Sequence, residues 1–117
     1  MANEVSVSMT LGYSKNKAAA RLSTVYTVTQ VGDKYMAGVQ IIGTTEESFA
    51  KGDIGTIGFV AVRNMDATNF VQLGAATGAY SVKLLPGQGA VVPWGASNTF
   101  VKADTASCEV EYLLIET

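Results

Sequence analysis

Carboxylates are the side chains in this sequence with the widest chemical use, because two of them facing each other can hydrolyse a glycosidic bond. Glu46 and Glu47 are adjacent in the chain, and Glu109 and Glu111 lie two apart on one predicted strand face. A hydrolytic pair needs two carboxyls on opposite sides of a substrate, one of them kept protonated by its surroundings. We therefore interpret these acids as exposed surface or loop-capping residues.

The chain has one cysteine and no histidine. Cys108 has no histidine to activate it as a nucleophile, and a single cysteine forms neither an internal disulfide nor a zinc site. It alternates with Val110, Tyr112 and Leu114, so we expect it to fill core volume. The sequence also lacks a calcium loop of EF-hand spacing. We predict no catalytic residue, metal, cofactor or small-molecule substrate, and hence no enzyme.

Charged residues make up 15% of the chain, and the formal net charge is −2. This balance provides no basic field to collect phosphates, so nucleic acid is not an expected partner. No stretch approaches the roughly 20 apolar residues of a membrane helix, and the N-terminal segment lacks the apolar run of a signal peptide. We therefore expect no membrane partner and synthesis in the cytoplasm. An apolar content of 48% predicts that another protein covers part of the surface.

Alternating apolar residues and β-branched runs predict strands throughout the chain. The strand-like segments are residues 5–11, 22–30, 35–42, 56–63, 70–73, 80–85, 90–92, 99–102 and 108–116. We expect hairpins between the second and third segments and between the last two. The nearly continuous apolar run at 56–63 is typical of a central strand, and short helical turns are expected at 18–21 and within 43–49.

This pattern predicts an all-β fold, a β-sandwich or jelly-roll-like arrangement of about eight short antiparallel strands. One domain should span residues 1–117, with 1–12 as an N-terminal arm or edge strand. Turn chemistry marks two connections. Asn64, Asp66 and Asn69 have side chains that bond to nearby backbone, and Pro86 with Gly87 favours a tight turn. Pro93 should stop its strand and place it at an edge or end.

Candidate interface residues lie in the first segment and near the second proline. Val5, Val7, Met9 and Leu11 alternate with small polar residues and form one apolar face. That face suits an arm or an edge strand available to a neighbouring chain. Trp94 can serve as an exposed contact or plug one end of the sandwich, and burial is favoured because tryptophan is highly buried on average.

The chain from residue 43 onwards resembles a family of small structural proteins of tailed-bacteriophage virions. The resemblance is carried by Gly43-Thr44-Thr45-Glu46-Glu47, Gly52-Asp53-Ile54-Gly55, the segment Arg63-Asn64-Met65-Asp66-Ala67-Thr68-Asn69-Phe70-Val71-Gln72-Leu73-Gly74, Lys83-Leu84-Leu85-Pro86-Gly87-Gln88-Gly89-Ala90, Lys102-Ala103-Asp104-Thr105 and Val110-Glu111-Tyr112-Leu113-Leu114-Ile115-Glu116. The N-terminal strands match only in style.

The resemblance implies a capsid decoration, or cement, protein that binds the outer surface of the mature head and stabilises it. The major capsid protein and further copies of the chain, as a trimer, would be its partners, and the virion its location. A tail, baseplate or head-fibre component would use the same sandwich. A carbohydrate-binding module is a third interpretation, in which Trp94, Tyr80 and Tyr13 would form a stacking platform.

Overall fold

The computed structural model describes residues 2–117, and over that range the chain contains only strands and their connections. The predicted all-β class is confirmed, with ten strands instead of about eight. The strands are β1 (Val5–Lys15), β2 (Ala18–Val28), β3 (Tyr35–Ile42), β4 (Glu47–Ser48), β5 (Ile57–Asn64), β6 (Val71–Gly74), β7 (Val82–Leu84), β8 (Gly89–Ala96), β9 (Phe100–Ala103) and β10 (Cys108–Glu116). The chain divides into two compact units, the first ending at Val31 and the second running from Gly32 to Thr117.

The first unit is an antiparallel hairpin of β1 and β2, and pairing is continuous over all 11 residues of each strand. Only Asn16 and Lys17 connect the strands. Their φ angles of 50° and 70° are the left-handed values that a two-residue type I′ turn requires. The helical turn predicted at residues 18–21 is wrong, because this turn reverses the chain at once and Ala18 already pairs with Lys15.

The hairpin predicted between residues 22–30 and 35–42 is also wrong. β2 pairs with β1, whereas β3 pairs with β10 near the end of the chain. A turn signal such as residues 31–34 shows that the chain changes direction, but it does not identify the strand that becomes the neighbour. Here it marks the boundary between the two units.

The second unit contains two four-stranded sheets. Their strand orders are β3-β10-β5-β8 and β4-β9-β6-β7, and every pair is antiparallel. β5 lies in the interior of its sheet, which confirms the prediction from its apolar run. The hairpin predicted for the last two strands is wrong, because β9 and β10 belong to different sheets. The turn at residues 103–107 therefore carries the chain from one sheet to the other.

The core of the second unit lies between its two sheets, as in a β-sandwich. The first sheet contributes Ile42, Ile57, Val60, Val62, Val110, Tyr112 and Leu114, and the second contributes Val71, Leu73, Leu84, Val101 and Ala103. Cys108 is fully buried in the same cluster, so the prediction that it fills core volume is confirmed. The Tyr112 ring stacks on Phe49 with centroids 4.5 Å apart.

Two local predictions in this unit need correction. The helical turn expected within residues 43–49 is wrong, because β4 forms there and pairs with β9. Pro93 does not end its strand, since β8 continues to Ala96. The placement at an edge is confirmed, because β8 is the last strand of its sheet. An edge strand tolerates a residue without a backbone N–H.

Candidate functional site

Three exposed large apolar residues of the first unit, Leu11, Tyr13 and Leu22, lie on one face of the hairpin. Residues directly opposite each other in an antiparallel pair project from the same face. Leu11 is opposite Leu22, and Tyr13 is opposite Ala20. Leu11 and Leu22 are 75% and 74% exposed, and Tyr13 is 57% exposed. We call this surface the hairpin face; it consists of Met9, Leu11, Tyr13, Ala20 and Leu22.

The opposite face of the hairpin is mainly polar. It consists of Ser6, Ser8, Thr10, Gly12, Ser14, Ala19, Arg21, Ser23, Val25 and Thr27. The hydroxyls of Thr10 and Ser23 are hydrogen-bonded to each other at 3.0 Å across the two strands. Val25 is the one large apolar residue on this face, and it is 70% exposed. The hairpin is therefore an amphipathic ribbon. A ribbon with water on both faces would not need an apolar face.

Charge is distributed unequally along the chain. Residues 1–31 contain Lys15, Lys17 and Arg21 against one acid, Glu4, which gives a formal charge of +2. The chain has eight basic and ten acidic residues in all, so five basic and nine acidic residues remain in 32–117, a formal charge of −4. The three basic residues lie at or beside the hairpin turn. The turn end of the hairpin is thus cationic and the sandwich is anionic.

A second apolar surface lies on the side of the β3-β10-β5-β8 sheet that does not face the core. Cross-strand register aligns Ala37, Leu113, Ala61 and Val91 in one row across the four strands. The next residues along β3 on that side are Val39 and Ile41, which are 52% and 70% exposed. We call this surface the sheet face; its apolar residues are Tyr35, Ala37, Val39, Ile41, Phe59, Ala61, Val91, Pro93, Leu113 and Ile115.

Charged residues, Glu109, Glu111 and Arg63, lie on the same side of the sheet as these apolar residues. Glu109 lies opposite Ile41, and Glu111 lies opposite Val39. Glu111 forms an ion pair with Arg63 at 2.8 Å, with both side chains about half exposed. Exposed ion pairs of this kind contribute little to stability. Glu109 forms no ion pair with any of the described residues. The apolar rows and the flanking carboxylates together form a surface suited to an apolar partner that carries positive charge.

The predicted interface residues fall into two groups. Leu11 is on the hairpin face and highly exposed, and Met9 is half-buried on the same face. Val5 and Val7 are only 6% and 5% exposed, which leaves little of their surface for another molecule. Sequence reasoning did not name Leu22. The signal for it was the alternation of residues 18–28, which mirrors that of β1 across the Asn16-Lys17 turn.

Trp94 is half-buried in β8 and packs against the core. Its indole N–H donates a hydrogen bond to the carbonyl of Asn98 at 3.0 Å. Tyr80, the second aromatic residue of the predicted stacking platform, donates its hydroxyl to the carboxylate of Glu46. Both side chains are held by neighbours, whereas a sugar platform presents an open ring face.

The predicted turn residues Asn64, Asp66 and Asn69 form one hydrogen-bonded network. Asn64 is fully buried at the end of β5, and its amide donates to the carbonyls of Asn69 at 2.9 Å and Leu84 at 3.0 Å. Its Oδ1 accepts the backbone N–H of Asp66 at 3.0 Å. The Asp66 carboxylate accepts the N–H groups of Thr68 at 3.0 Å and Asn69 at 2.7 Å, as predicted.

These bonds also explain the acidity of Asp66. The backbone N–H of Asn69, and then that of Thr68, stabilise the ionised carboxylate and lower the pKa of Asp66 below its usual value. Because both donors are backbone groups of the same turn, the network fixes the shape of the loop. Its role in this structure is therefore conformational.

The predicted turn at Pro86 and Gly87 is confirmed. Gly87 has a φ of 80°, and the N–H of Gln88 donates to the carbonyl of Leu85 at 3.0 Å, which closes a four-residue turn. The N–H of Gly87 donates to the carbonyl of Asn64 at 3.0 Å. This bond joins the proline turn to the buried network around Asn64.

Glu46 and Glu47, the adjacent carboxylates considered for hydrolysis, have structural partners. Glu46 accepts the hydroxyl of Tyr80 and the N–H of Gly78, and these bonds, the tyrosine first, lower the pKa of Glu46. The same hydrogen bond raises the pKa of Tyr80. Glu47 accepts the amide of Gln40 at 2.9 Å and the N–H of Gly43 at 3.3 Å. Both acids stabilise the connection around β4.

The Cys108 thiol lies among backbone carbonyls. Its Sγ is 3.6 Å from the carbonyl oxygen of Asn69 and 3.7 Å from that of Ala106. Burial, followed by the nearby charges of Asp66 and Asp104, raises the pKa of the thiol. A nucleophilic cysteine needs the opposite shift, toward the thiolate. The geometry therefore suits a neutral thiol that donates weak hydrogen bonds.

Residues 2–117 contain neither a cluster of metal-ligating side chains nor a membrane-spanning helix. No three acidic, cysteine or histidine side chains within this range are grouped closely enough to hold a metal ion. None of the residues in the range forms a helix long and apolar enough to cross a membrane.

Comparison of the chain with protein-family models, with curated proteins and with solved structures gives no match. The geometry of the two apolar faces and the resemblance described from the sequence are therefore the observations from which a function is argued.

Proposed function

We propose that this chain is a structural protein of a bacteriophage virion, a capsid decoration protein that binds the outer surface of the mature head and stabilises it. The observation that carries the proposal is the pair of exposed apolar faces, each built on regular strands. Large apolar patches on a small protein mark sites of protein association. The virion itself is supported by the resemblance of residues 43–116 to small tailed-phage structural proteins.

The physical properties of the sandwich are suited to such a role. The polar side chains of the turns form their hydrogen bonds within the sandwich, as those of Asn64, Asp66 and Glu46 show. The remaining surface is rich in exposed aliphatic residues and poor in charge. Lasting protein interfaces are more apolar than ordinary surface. A rigid module with apolar strands on its outside can therefore act as a bridge between neighbouring subunits of a shell.

Stabilisation of the head follows from mass action. A protein that binds the expanded shell and not the disrupted one stabilises the shell by an amount that depends on its concentration relative to its dissociation constant. Many copies add their contributions, so even a modest affinity for each site resists the pressure of packaged DNA. This mechanism requires no reaction and no cofactor.

The experiment is co-sedimentation of the purified chain with heads of the tailed phage that encodes it. Expanded shells, unexpanded shells and isolated tails of the same phage are compared at equal protein mass. Saturable binding to expanded shells alone, together with a higher temperature of shell disruption, is the expected result. Binding to tails alone, retention on a glycan matrix without shell binding, or equal binding to both shell forms would overturn the decoration role.

A further inference from the structure

We propose that the hairpin face of one copy of this chain packs on the sheet face of a second copy, and that reciprocal contacts of this kind close a symmetric oligomer. This proposal rests on the proposed function, because the resemblance that supports a virion protein also implies further copies of the chain as partners. The test below uses the purified chain without shells, so its failure is distinguishable from a failure to bind heads.

The part of the hairpin face near the turn exposes large apolar side chains to water. A two-stranded hairpin with one solvated apolar face is marginally stable in water, and it usually packs on further strands or another element. Leu11 and Leu22 form a directly opposed pair that is about three-quarters exposed. Two β-surfaces pack at a distance of about 10 Å when apolar side chains from both interdigitate. An apolar sheet is therefore a geometrically suitable partner for this ribbon.

The sheet face offers that surface. It is regular over four strands, and its residues Ile41, Val39 and Val91 are more than a third exposed. Small residues, Ala37 and Ala61, alternate with Leu113 and Val91 in the row across the sheet. Large leucine and tyrosine side chains of a ribbon can enter the space above these alanines. The match of large with small residues favours this sheet face as the acceptor.

Charge complementarity identifies a second copy as the occupant. The hairpin unit carries a formal charge of +2 and the sandwich −4. Lys15 projects from the hairpin face, because it continues the alternation of Leu11 and Tyr13. Glu109 borders the sheet face. Opposite charges at the rim of an apolar contact favour encounter and fix its orientation. Every copy carries both halves of this complementary pair.

The size of the contact explains why it should be reciprocal. The exposed hairpin residues, 9–15 and 18–24, span about 20 Å along the strands and about 10 Å across them, a footprint of about 200 Å². A stable interface covers about 800 Å² on each partner. If each copy both donates its hairpin and accepts another, the buried area per copy doubles to about 400 Å², half of that usual area. A closed symmetric assembly achieves this, and its affinity should be moderate.

The first measurement is the mass of the full chain by sedimentation equilibrium over a wide range of concentration. The expected result is a mass that rises with concentration to a closed multiple of 12.2 kDa. Leu22→Ser should raise the dissociation constant at least about tenfold. The matched control is Val25→Ser, a similarly exposed residue on the opposite face of the same strand, which should self-associate like the unchanged chain.

Complementation then identifies the two surfaces. Ile41→Ser changes only the sheet face, so this variant and Leu22→Ser should each be monomeric alone. Mixed, they should associate more tightly than either variant alone and less tightly than the unchanged chain, since only one of the two reciprocal contacts then has both surfaces intact. Hydrogen exchange should slow in residues 9–24 of the Ile41→Ser partner on mixing. Near-ultraviolet circular dichroism of Trp94 reports whether the second unit of each variant keeps its fold, and far-ultraviolet circular dichroism reports whether the hairpin keeps its strands.

Charge reversal gives an independent test. Lys15→Glu and Glu109→Lys should each weaken association, and a mixture of the two single variants should recover part of it. The effect should diminish at high salt, because exposed charges are screened.

Three results would overturn the proposal. The first is a chain that stays monomeric at all concentrations. The second is an Ile41→Ser variant that associates as the unchanged chain does, which would indicate contact between two hairpins. The third is equal loss of association in the Leu22→Ser and Val25→Ser variants, which would show that the apolar side of the hairpin has no special role.

Discussion

Replacing Asn64 tests whether the turn network, more than the apolar core alone, determines the stability of the sandwich. Its amide supplies a buried donor to Leu84 and a part-buried donor to Asn69, and its Oδ1 accepts from Asp66. Alanine leaves the buried carbonyl without a donor, which costs about 1–3 kcal/mol, and removes two further bonds of about 0.5–1.5 kcal/mol each. The expected loss for Asn64→Ala is therefore about 4 kcal/mol, a large fraction of the stability of a small domain.

Urea unfolding followed by Trp94 fluorescence measures this loss, and Asn69→Ala is the matched control. The Asn69 side chain lies in the same loop, and its bonds to Thr68 and Thr105 are exposed. Exposed bonds exchange readily with water, so we expect a loss below about 1 kcal/mol for this control. Equal midpoints for the two variants would refute the assignment of stability to the buried asparagine.

Asn64→Asp sharpens the same test through pH. The introduced carboxyl would face the carbonyls of Asn69 and Leu84 in a buried site, which disfavours its ionised form and raises its folded pKa above the unfolded value. The folded variant then binds the proton more tightly than the unfolded one. Its stability should be greatest below the unfolded pKa of about 3.9 and should fall as pH rises through the folded pKa. A variant that becomes more stable relative to Asn64→Ala as pH rises would contradict this account.

The remaining predictions concern single positions. Gly74→Ala should prevent folding, because its Cβ would lie 1.8 Å from the carbonyl oxygen of Ala79, whereas Gly12→Ala has open space and should leave the melting temperature nearly unchanged. Trp94→Ala should cost about 2 kcal/mol in urea unfolding followed by circular dichroism, less than for a fully buried ring, and unchanged stability would contradict its packing on the core. Cys108 should react with a thiol reagent only on unfolding. Because its pKa is raised in the folded state, its contribution to stability is lost as pH rises through the folded pKa. Cys108→Ala should not show this loss of stability at alkaline pH.

The all-β class and the turns could be predicted because their signals are local. Asp66 bonds to the backbone of residues 68 and 69 because its side chain reaches no farther, and Gly87 adopts a positive φ because the turn requires it. Alternation likewise predicted β1, and a nearly continuous apolar run predicted the interior position of β5. In each case the residues that determine the structure lie within a few positions of it.

Strand pairing could not be predicted, because partners are selected by the whole core. β10 inserts between β3 and β5, far from both in sequence, and this separates it from its neighbour β9. A polar loop was predicted at residues 13–17, but the two-residue hairpin turn within it was not, because neither Asn16 nor Lys17 is glycine, although asparagine tolerates the left-handed region well. The alanines at 18–20 have high helix propensity, but the ladder with β1 overrides it.

The structure separates the residues that hold the fold together from those that face outward. Buried polar groups such as Asn64 bond to backbone of the same unit, and the thiol of Cys108 lies within the core. By contrast, large aliphatic side chains such as Leu22 and Ile41 remain about 70% exposed on regular strands. Folding gains nothing from that exposure, and water-facing strands do not require it. Because strands present these residues at fixed spacing, they form surfaces that another β-structure can match. The chemistry of this protein is therefore best sought in what those surfaces contact.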